Sequence, residues 1–277
     1  MAAGPQSLNN VHIGITMPKL AANITMMFNE LPFLERIQAS AQSGFKAVEF
    51  LFPYDFEAQD IAAELKRHAV KNVLFNMPPG DWNAGERGIA ALPGREQEFR
   101  DGVAKAIAYA RALGTPNLHA MAGLLPADAD LVQCRATFIE NLKYAAQQCS
   151  AHGITLLIEP INHRDMPGYF LGRQDQAHAI REEVGEPNLK VQMDFYHVQI
   201  MEGDIAMTFR KFQPHVGHIQ IAGVPERHEP DTGEVNYAYL FGLLDELGYD
   251  GWVGCEYRPA NGTVQGLGWM NSLARKK

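Results

Sequence analysis

Apolar and polar positions along the chain follow two alternating periods. Short apolar runs predict buried strands at 20–26, 47–50, 73–77, 117–121, 154–159, 189–194, 217–221 and 252–256. Between them, apolar residues recur at helical spacing over 32–43, 57–69, 95–113, 128–152, 174–184, 204–212 and 237–247. Pro32 suits a first helical turn and Gly44 a stop. Gly114, Gly153, Gly185 and Gly248 stand where left-handed helix caps are expected. Eight strands with intervening helices predict the α/β class and a single closed (β/α)8 barrel. The open doubly wound sheet is the alternative. It usually carries a Gly-rich phosphate loop after its first strand, and Asn23-Ile-Thr-Met-Met-Phe28 is not one. Residues 1–16 show no element and read as a flexible N-terminal extension, leaving 17–277 as the barrel domain. The long connection 78–92, with Pro-Pro-Gly-Asp-Trp82, is expected to be a functional loop over the barrel mouth.

Composition narrows the classes. The chain has 277 residues, and such a barrel needs roughly 250. Net charge is −8 without a basic run, so no nucleic-acid partner is expected, because backbone affinity comes largely from Lys and Arg clusters. No apolar stretch reaches the roughly 18 residues of a membrane span. No signal-peptide pattern opens the chain, and Cys134, Cys149 and Cys255 form neither zinc-like pairs nor a disulfide framework. A cytoplasmic protein is the expectation; the sequence leaves a homo-oligomer open.

The candidate chemistry sits at strand ends. Glu159, Asp194, Gln220 and Glu256 each close an apolar run. A carboxylate ending a buried strand is costly unless paired, and a parallel barrel gathers its strand ends at one mouth. Crowded carboxylates repel and raise each other's pKa; a divalent cation removes that conflict. Four hard oxygen donors favour Mg²⁺ or Mn²⁺ over zinc or copper. The alternative for each is a loop cap or an Arg pair. Glu159 and Glu256, on strands five and eight, could flank a small ligand and move a proton between neighbouring carbons, with a metal stabilising the enediolate. His197, three residues after Asp194, reads equally as a substrate contact or an orienting residue. Arg227, His228 and Glu229 follow strand seven, and Arg227 could grip a carboxylate with two hydrogen bonds. His163, Glu49, Asn76, His119 and Trp82 are weaker candidates, each with a packing or loop role as the alternative.

These residues resemble the hydroxypyruvate isomerase family within the xylose-isomerase-like TIM barrels. The resemblance runs from about Met17 to Trp269. Its carriers include Ala47-Val-Glu-Phe-Leu-Phe-Pro-Tyr54, Asn76-Met-Pro-Pro-Gly-Asp-Trp82, Leu157-Ile-Glu-Pro-Ile-Asn-His163, His228-Glu-Pro-Asp-Thr-Gly-Glu-Val-Asn-Tyr237 and Gly251-Trp-Val-Gly-Cys-Glu-Tyr257. The resemblance implies Glu159 and Glu256 as proton donor and acceptor, and Glu159, Asp194, Gln220 and Glu256 as ligands of Mg²⁺ or Mn²⁺. Related sugar epimerases carry His at the position of Gln220; the change keeps an oxygen donor.

The expected partner is a small hydroxy-oxo acid, bound near His197, Arg227, His228 and Glu229. Hydroxypyruvate, interconverted with tartronate semialdehyde, is the first expectation. 2-Oxo-tetronate is the alternative, because the strand-seven loop from Gln220 to Asp231 looks more like isomerases of that four-carbon acid. Sugar 3-epimerisation, nuclease action on abasic DNA and a non-catalytic ligand-binding role are the remaining alternatives.

Overall fold

The computed structural model describes residues 17–274. The extension expected at 1–16 lies outside the described residues. Eight parallel strands close into a barrel in sequence order. They are β1 (Lys19–Asn23), β2 (Ala47–Phe50), β3 (Lys71–Asn76), β4 (Asn117–His119), β5 (Thr155–Ile158), β6 (Leu189–Asp194), β7 (Val216–Ile221) and β8 (Trp252–Cys255). The first strand pairs with the last, Leu20 opposite Val253 and Ala22 opposite Cys255. No sheet edge is left open, and each apolar run is sandwiched between barrel interior and helices, which is why these runs read as nearly continuous apolar segments.

The outer helices are α1 (Phe33–Gln42), α2 (Ala58–Arg67), α3 (Glu96–Leu113), α4 (Leu131–Ser150), α5 (Gln174–Val184), α6 (Phe195–Met201), α7 (Ile205–Phe212), α8 (Tyr237–Glu246), α9 (Thr263–Gly266) and α10 (Gly268–Ala274). Local chemistry sets several ends. Gly114 and Gly185 take φ +69° and +73° and cap α3 and α5 in the left-handed region. Asp130 caps α4, its side chain accepting from the Val132 and Gln133 amides at 2.9 and 3.2 Å.

The pattern of periods missed α6. Its start is hidden because Asp194 ends β6 and at once caps the helix, accepting from the Tyr196 amide at 2.9 Å. That double duty puts His197 one turn above the strand end. The 78–92 loop is fastened rather than free. Ala91 donates to the Ala122 carbonyl at 2.8 Å, Trp82 packs on Phe52 at 4.9 Å between ring centroids, and Arg87 stacks on the indole at 3.8 Å.

Register shifts in the β2–β3 and β6–β7 pairings fall at Val48/Glu49 and Val191/Gln192. Such irregularities re-aim a side chain. Both precede polar residues of the barrel interior.

Candidate active site

Glu159 and Glu256 stand one residue beyond β5 and β8, and Asp194 ends β6. With His197 they offer four ligand atoms, all within 4.8 Å of one another, and all four residues are buried. Arg227 reaches in from the loop after β7. Its Nη2 lies 2.6 Å from Glu256 Oε2 and 3.4 Å from Asp194 Oδ2, and its guanidinium lies over the Tyr196 ring. The backbone carries it there in a left-handed turn, φ +61°, with its amide donating to the Gly223 carbonyl and its carbonyl accepting from Arg258. A non-Gly residue in that region is strained by about 1–3 kcal/mol, so the surroundings over-determine the position.

Burial dominates the electrostatics. It lifts the Glu159 carboxyl well above its ordinary range, helped by Glu256 and Asp194. Burial also pushes Glu256 up to about 8 and Asp194 up to about 6, with Arg227 pulling both back. Arg227 itself is held more firmly protonated; burial opposes its charge, but Glu256, Asp194 and Glu159 outweigh it. Both imidazoles are neutral. Burial drives His119 down to about 3, and burial plus Arg227 drive His197 well below its ordinary value. Three carboxylates against one guanidinium leave a formal charge of −2 when all are ionised. Glu159 Oε1 is buried with no hydrogen-bond partner. Buried, under-neutralised oxygens of this kind could hold a metal ion.

The His197 tautomer follows from its neighbours. The Asp165 amide donates to Asn162 Oδ1 at 2.7 Å, which turns Asn162 Nδ2 toward His197 Nδ1 at 2.6 Å. The Asn162 backbone amide also points at Nδ1, at 3.3 Å. Nδ1 is therefore an acceptor and Nε2 carries the proton, facing Asp194 at 3.5 Å and Glu159 at 3.8 Å. In this state the Nε2 proton faces the two carboxylates without a hydrogen bond to either. His197 ligates a cation only through the other tautomer.

Gln220 sits beside Asp194 in register and Gly254 on its other side. Both ends of its amide are occupied: Nε2 donates to Glu49 Oε1 and Oε1 accepts from Gln192 Nε2, each at 2.6 Å. A carbonyl oxygen has a second lone pair, so this does not bar it from ligating.

His228 and Glu229 are not brought into the cluster. His228 Nδ1 meets the Arg258 carbonyl at 2.8 Å, and Glu229 accepts from the Ala260 amide at 3.2 and 3.3 Å, so both tie the β7 loop to the segment after β8. His163 meets the Tyr169 carbonyl at 3.0 Å and serves its loop. His119 stands beside Glu159 at 3.6 Å and Asn76 at 3.2 Å.

Asn23, Asn162 and Gln192 escaped the sequence reading. Gln192 shares a strand face with Asp194 two residues on, and Asn23 ends β1; a polar residue at an inward position of a buried strand was the available signal. A cavity of about 730 Å³ around Lys71, Arg111 and Trp252 is lined by none of these residues. Strand C-terminal ends, not cavity size, mark the chemistry.

Residues 37–273 match the sequence pattern of the xylose isomerase-like TIM barrels, a family whose barrel fold is the one seen here. The chain belongs to that family. It is 60% identical over 254 residues to a 2-oxo-tetronate isomerase of Cupriavidus necator, covering 92% of this chain and 98% of the relative. It is 49% identical over 255 residues to the hydroxypyruvate isomerase of Escherichia coli, covering 92% and 99%. A crystal structure from Brucella melitensis, described as a family 2 AP endonuclease, superposes with a TM-score of 0.91 at 55% identity, covering 92% and 99%. With these relatives the chain is an enzyme, an isomerase.

Proposed function

We propose that the enzyme moves the carbonyl of 2-oxo-tetronate from C2 to C3. The observation that carries this reading is Arg227. The β7 loop, the segment whose sequence looks most like isomerases of the four-carbon acid, delivers this residue to Glu256 and Asp194. The 60% identical relative bears that name. The ranking of substrates drawn from the sequence alone is thereby reversed. Hydroxypyruvate is the second reading, favoured by the Escherichia coli relative and by residues 80–114 and 156–162, whose sequence looks more like hydroxypyruvate isomerases.

Both substrates ask the same of the residues. One glutamate of the Glu159/Glu256 pair takes the proton from C3, and the other delivers a proton to C2. The hydroxyl proton passes from the C3 oxygen to the C2 oxygen, so the product is an isomer and nothing else is consumed. Carboxyls with raised pKa exchange protons near neutral pH, which suits this work. Glu159, Asp194 and Glu256, with Gln220 as the further oxygen, would hold a divalent ion, which would supply Lewis-acid stabilisation of developing negative charge. Arg227 adds positive charge on the same side. Its Nη1, only distantly placed against Asp165 at 3.7 Å, is the group available to a substrate oxygen. His197 presents its Nε2 proton to the cluster, and Asn162 holds it in that state.

The test is carbon NMR on 2-oxo-tetronate and hydroxypyruvate side by side, after EDTA treatment and with Mg²⁺ or Mn²⁺ restored. Preference for the four-carbon acid is expected. Preference for hydroxypyruvate makes the second reading the right one, and turnover of neither overturns both.

A further inference from the structure

Beneath the cluster lies a second polar layer centred on Glu49. This carboxylate is wholly buried. Its Oε1 accepts from Gln220 Nε2 at 2.6 Å and from Asn23 Nδ2 at 3.0 Å, and His218 Nε2 lies 2.6 Å from its Oε2. Glu49 belongs to β2, whereas His218 and Gln220 share one face of β7. To make these contacts the side chain spans the barrel past β1 and β8. Room for it exists because residue 254 is glycine; a Cβ there would overlap the Glu49 carboxylate. The register shift at Val48/Glu49 marks the same adjustment on β2.

Two of these contacts, those to Gln220 and Asn23, fix amides that border the cluster. Gln220 must present its nitrogen to Glu49, so its oxygen points the other way, to Gln192. Asn23 accepts from the Thr25 amide through Oδ1 and donates through Nδ2 to both Glu49 and Glu256, the latter at 3.1 Å. We propose that Glu49 is a positioning residue: it holds the Gln220 amide with its nitrogen toward Glu49 and its oxygen toward Gln192, it aims the Asn23 amide at Glu256, and it is the reason an amide rather than a carboxylate stands at 220. A carboxylate at that position would lie against another in a buried site, with no cation between them. The proposal rests on the reading of the cluster as the seat of proton transfer.

The experiment combines E49Q, Q220E and the double variant E49Q/Q220E in full-length protein. Three quantities are measured: urea unfolding midpoints, steady-state rates on 2-oxo-tetronate and hydroxypyruvate, and Mn²⁺ binding by electron paramagnetic resonance. E49Q keeps the volume but sets donor against donor. It is expected to lower kcat by about 10- to 100-fold, the usual effect of losing an orienting partner, with KM moved less than about threefold, and to weaken Mn²⁺ binding about tenfold or more. Q220E is expected to unfold earliest, and adding E49Q should recover at least about half of the lost midpoint, because donor and acceptor are then exchanged rather than removed. Additive midpoints, or E49Q with unchanged kcat and Mn²⁺ affinity, overturn the proposal. Wild-type protein that binds no Mn²⁺ overturns the metal reading of the cluster instead; kcat and the unfolding cycle still decide the role of Glu49.

Discussion

Arg227→Met removes the guanidinium that faces Glu256 and Asp194 while keeping much of the side-chain volume. At pH 7.5 without metal, these carboxyls then have no cationic neighbour at hydrogen-bonding distance among the described residues, since His197 and His119 are neutral. Breaking a buried ion pair from one side costs about 3–5 kcal/mol. The lower end applies here, because the carboxyls can take up protons instead of staying charged: Glu256 already sits at about 8 and would rise further. A loss of about 3 kcal/mol corresponds to roughly 6–12 °C in Tm for a chain of this size.

The sign of the pH dependence follows from the same shifts. A carboxyl whose folded pKa exceeds its unfolded value stabilises most at low pH, and that stability is lost as pH rises through the folded pKa. In EDTA-treated protein stability should therefore fall between about pH 4.5 and 8, the window set by Glu256 and Asp194. The variant's deficit should be smaller at pH 5.5 than at 7.5. Saturating Mg²⁺ or Mn²⁺ replaces the missing charge, so the deficit should shrink to under about 1 kcal/mol, on top of the roughly 2.7 kcal/mol any metal-binding protein gains at 100-fold excess over Kd. Urea unfolding followed by tryptophan fluorescence, with EDTA or with metal at both pH values, reads all of this. An EDTA-treated variant within about 1 kcal/mol of wild type at pH 7.5, or a deficit that grows at pH 5.5, refutes the electrostatic account.

Glu159→Gln and Glu256→Gln should each lower kcat by about 100-fold or more, with the fold unchanged by circular dichroism; near-normal turnover in both removes the two-carboxylate mechanism. Metal affinity should rise from pH 6 to pH 8 by up to about tenfold per pH unit for each proton displaced, measured by Mn²⁺ titration, because the ion competes with protons on Asp194 and Glu256. Asn162→Ala frees the His197 tautomer and should reduce kcat about 10- to 100-fold while Tm moves little. A flat response in the rate would assign Asn162 to its loop alone. Salt-sensitive gel shift of abasic DNA is not expected from a chain of net charge −8, and seeing one would reopen the nuclease alternative.

Much of the barrel is legible in one dimension because closure is local bookkeeping: each strand is buried on both faces, so each announces itself as an apolar run, and each helix shows its own period. The glycine caps follow equally from backbone sterics, as at Gly114 and Gly185. Strand-terminal carboxylates are visible for the same reason, being costly residues at positions that otherwise select apolar ones. What the sequence could not decide is which of them meet. Residues 49, 220 and 254 are remote in the chain, and only the closed β7–β8–β1–β2 arc lets a glutamate of one strand reach a glutamine of another past a glycine. Asp194 conceals α6 because one oxygen caps the helix while the other faces Arg227, two roles that no periodicity records. His228 and Glu229 carry plausible chemistry, yet the turn through Arg227 sends that side chain inward and leaves its two successors to fasten the loop. The direction of a side chain in such a turn depends on what the rest of the barrel offers it. Identity and spacing therefore fixed the donors, and tertiary structure alone chose their partners.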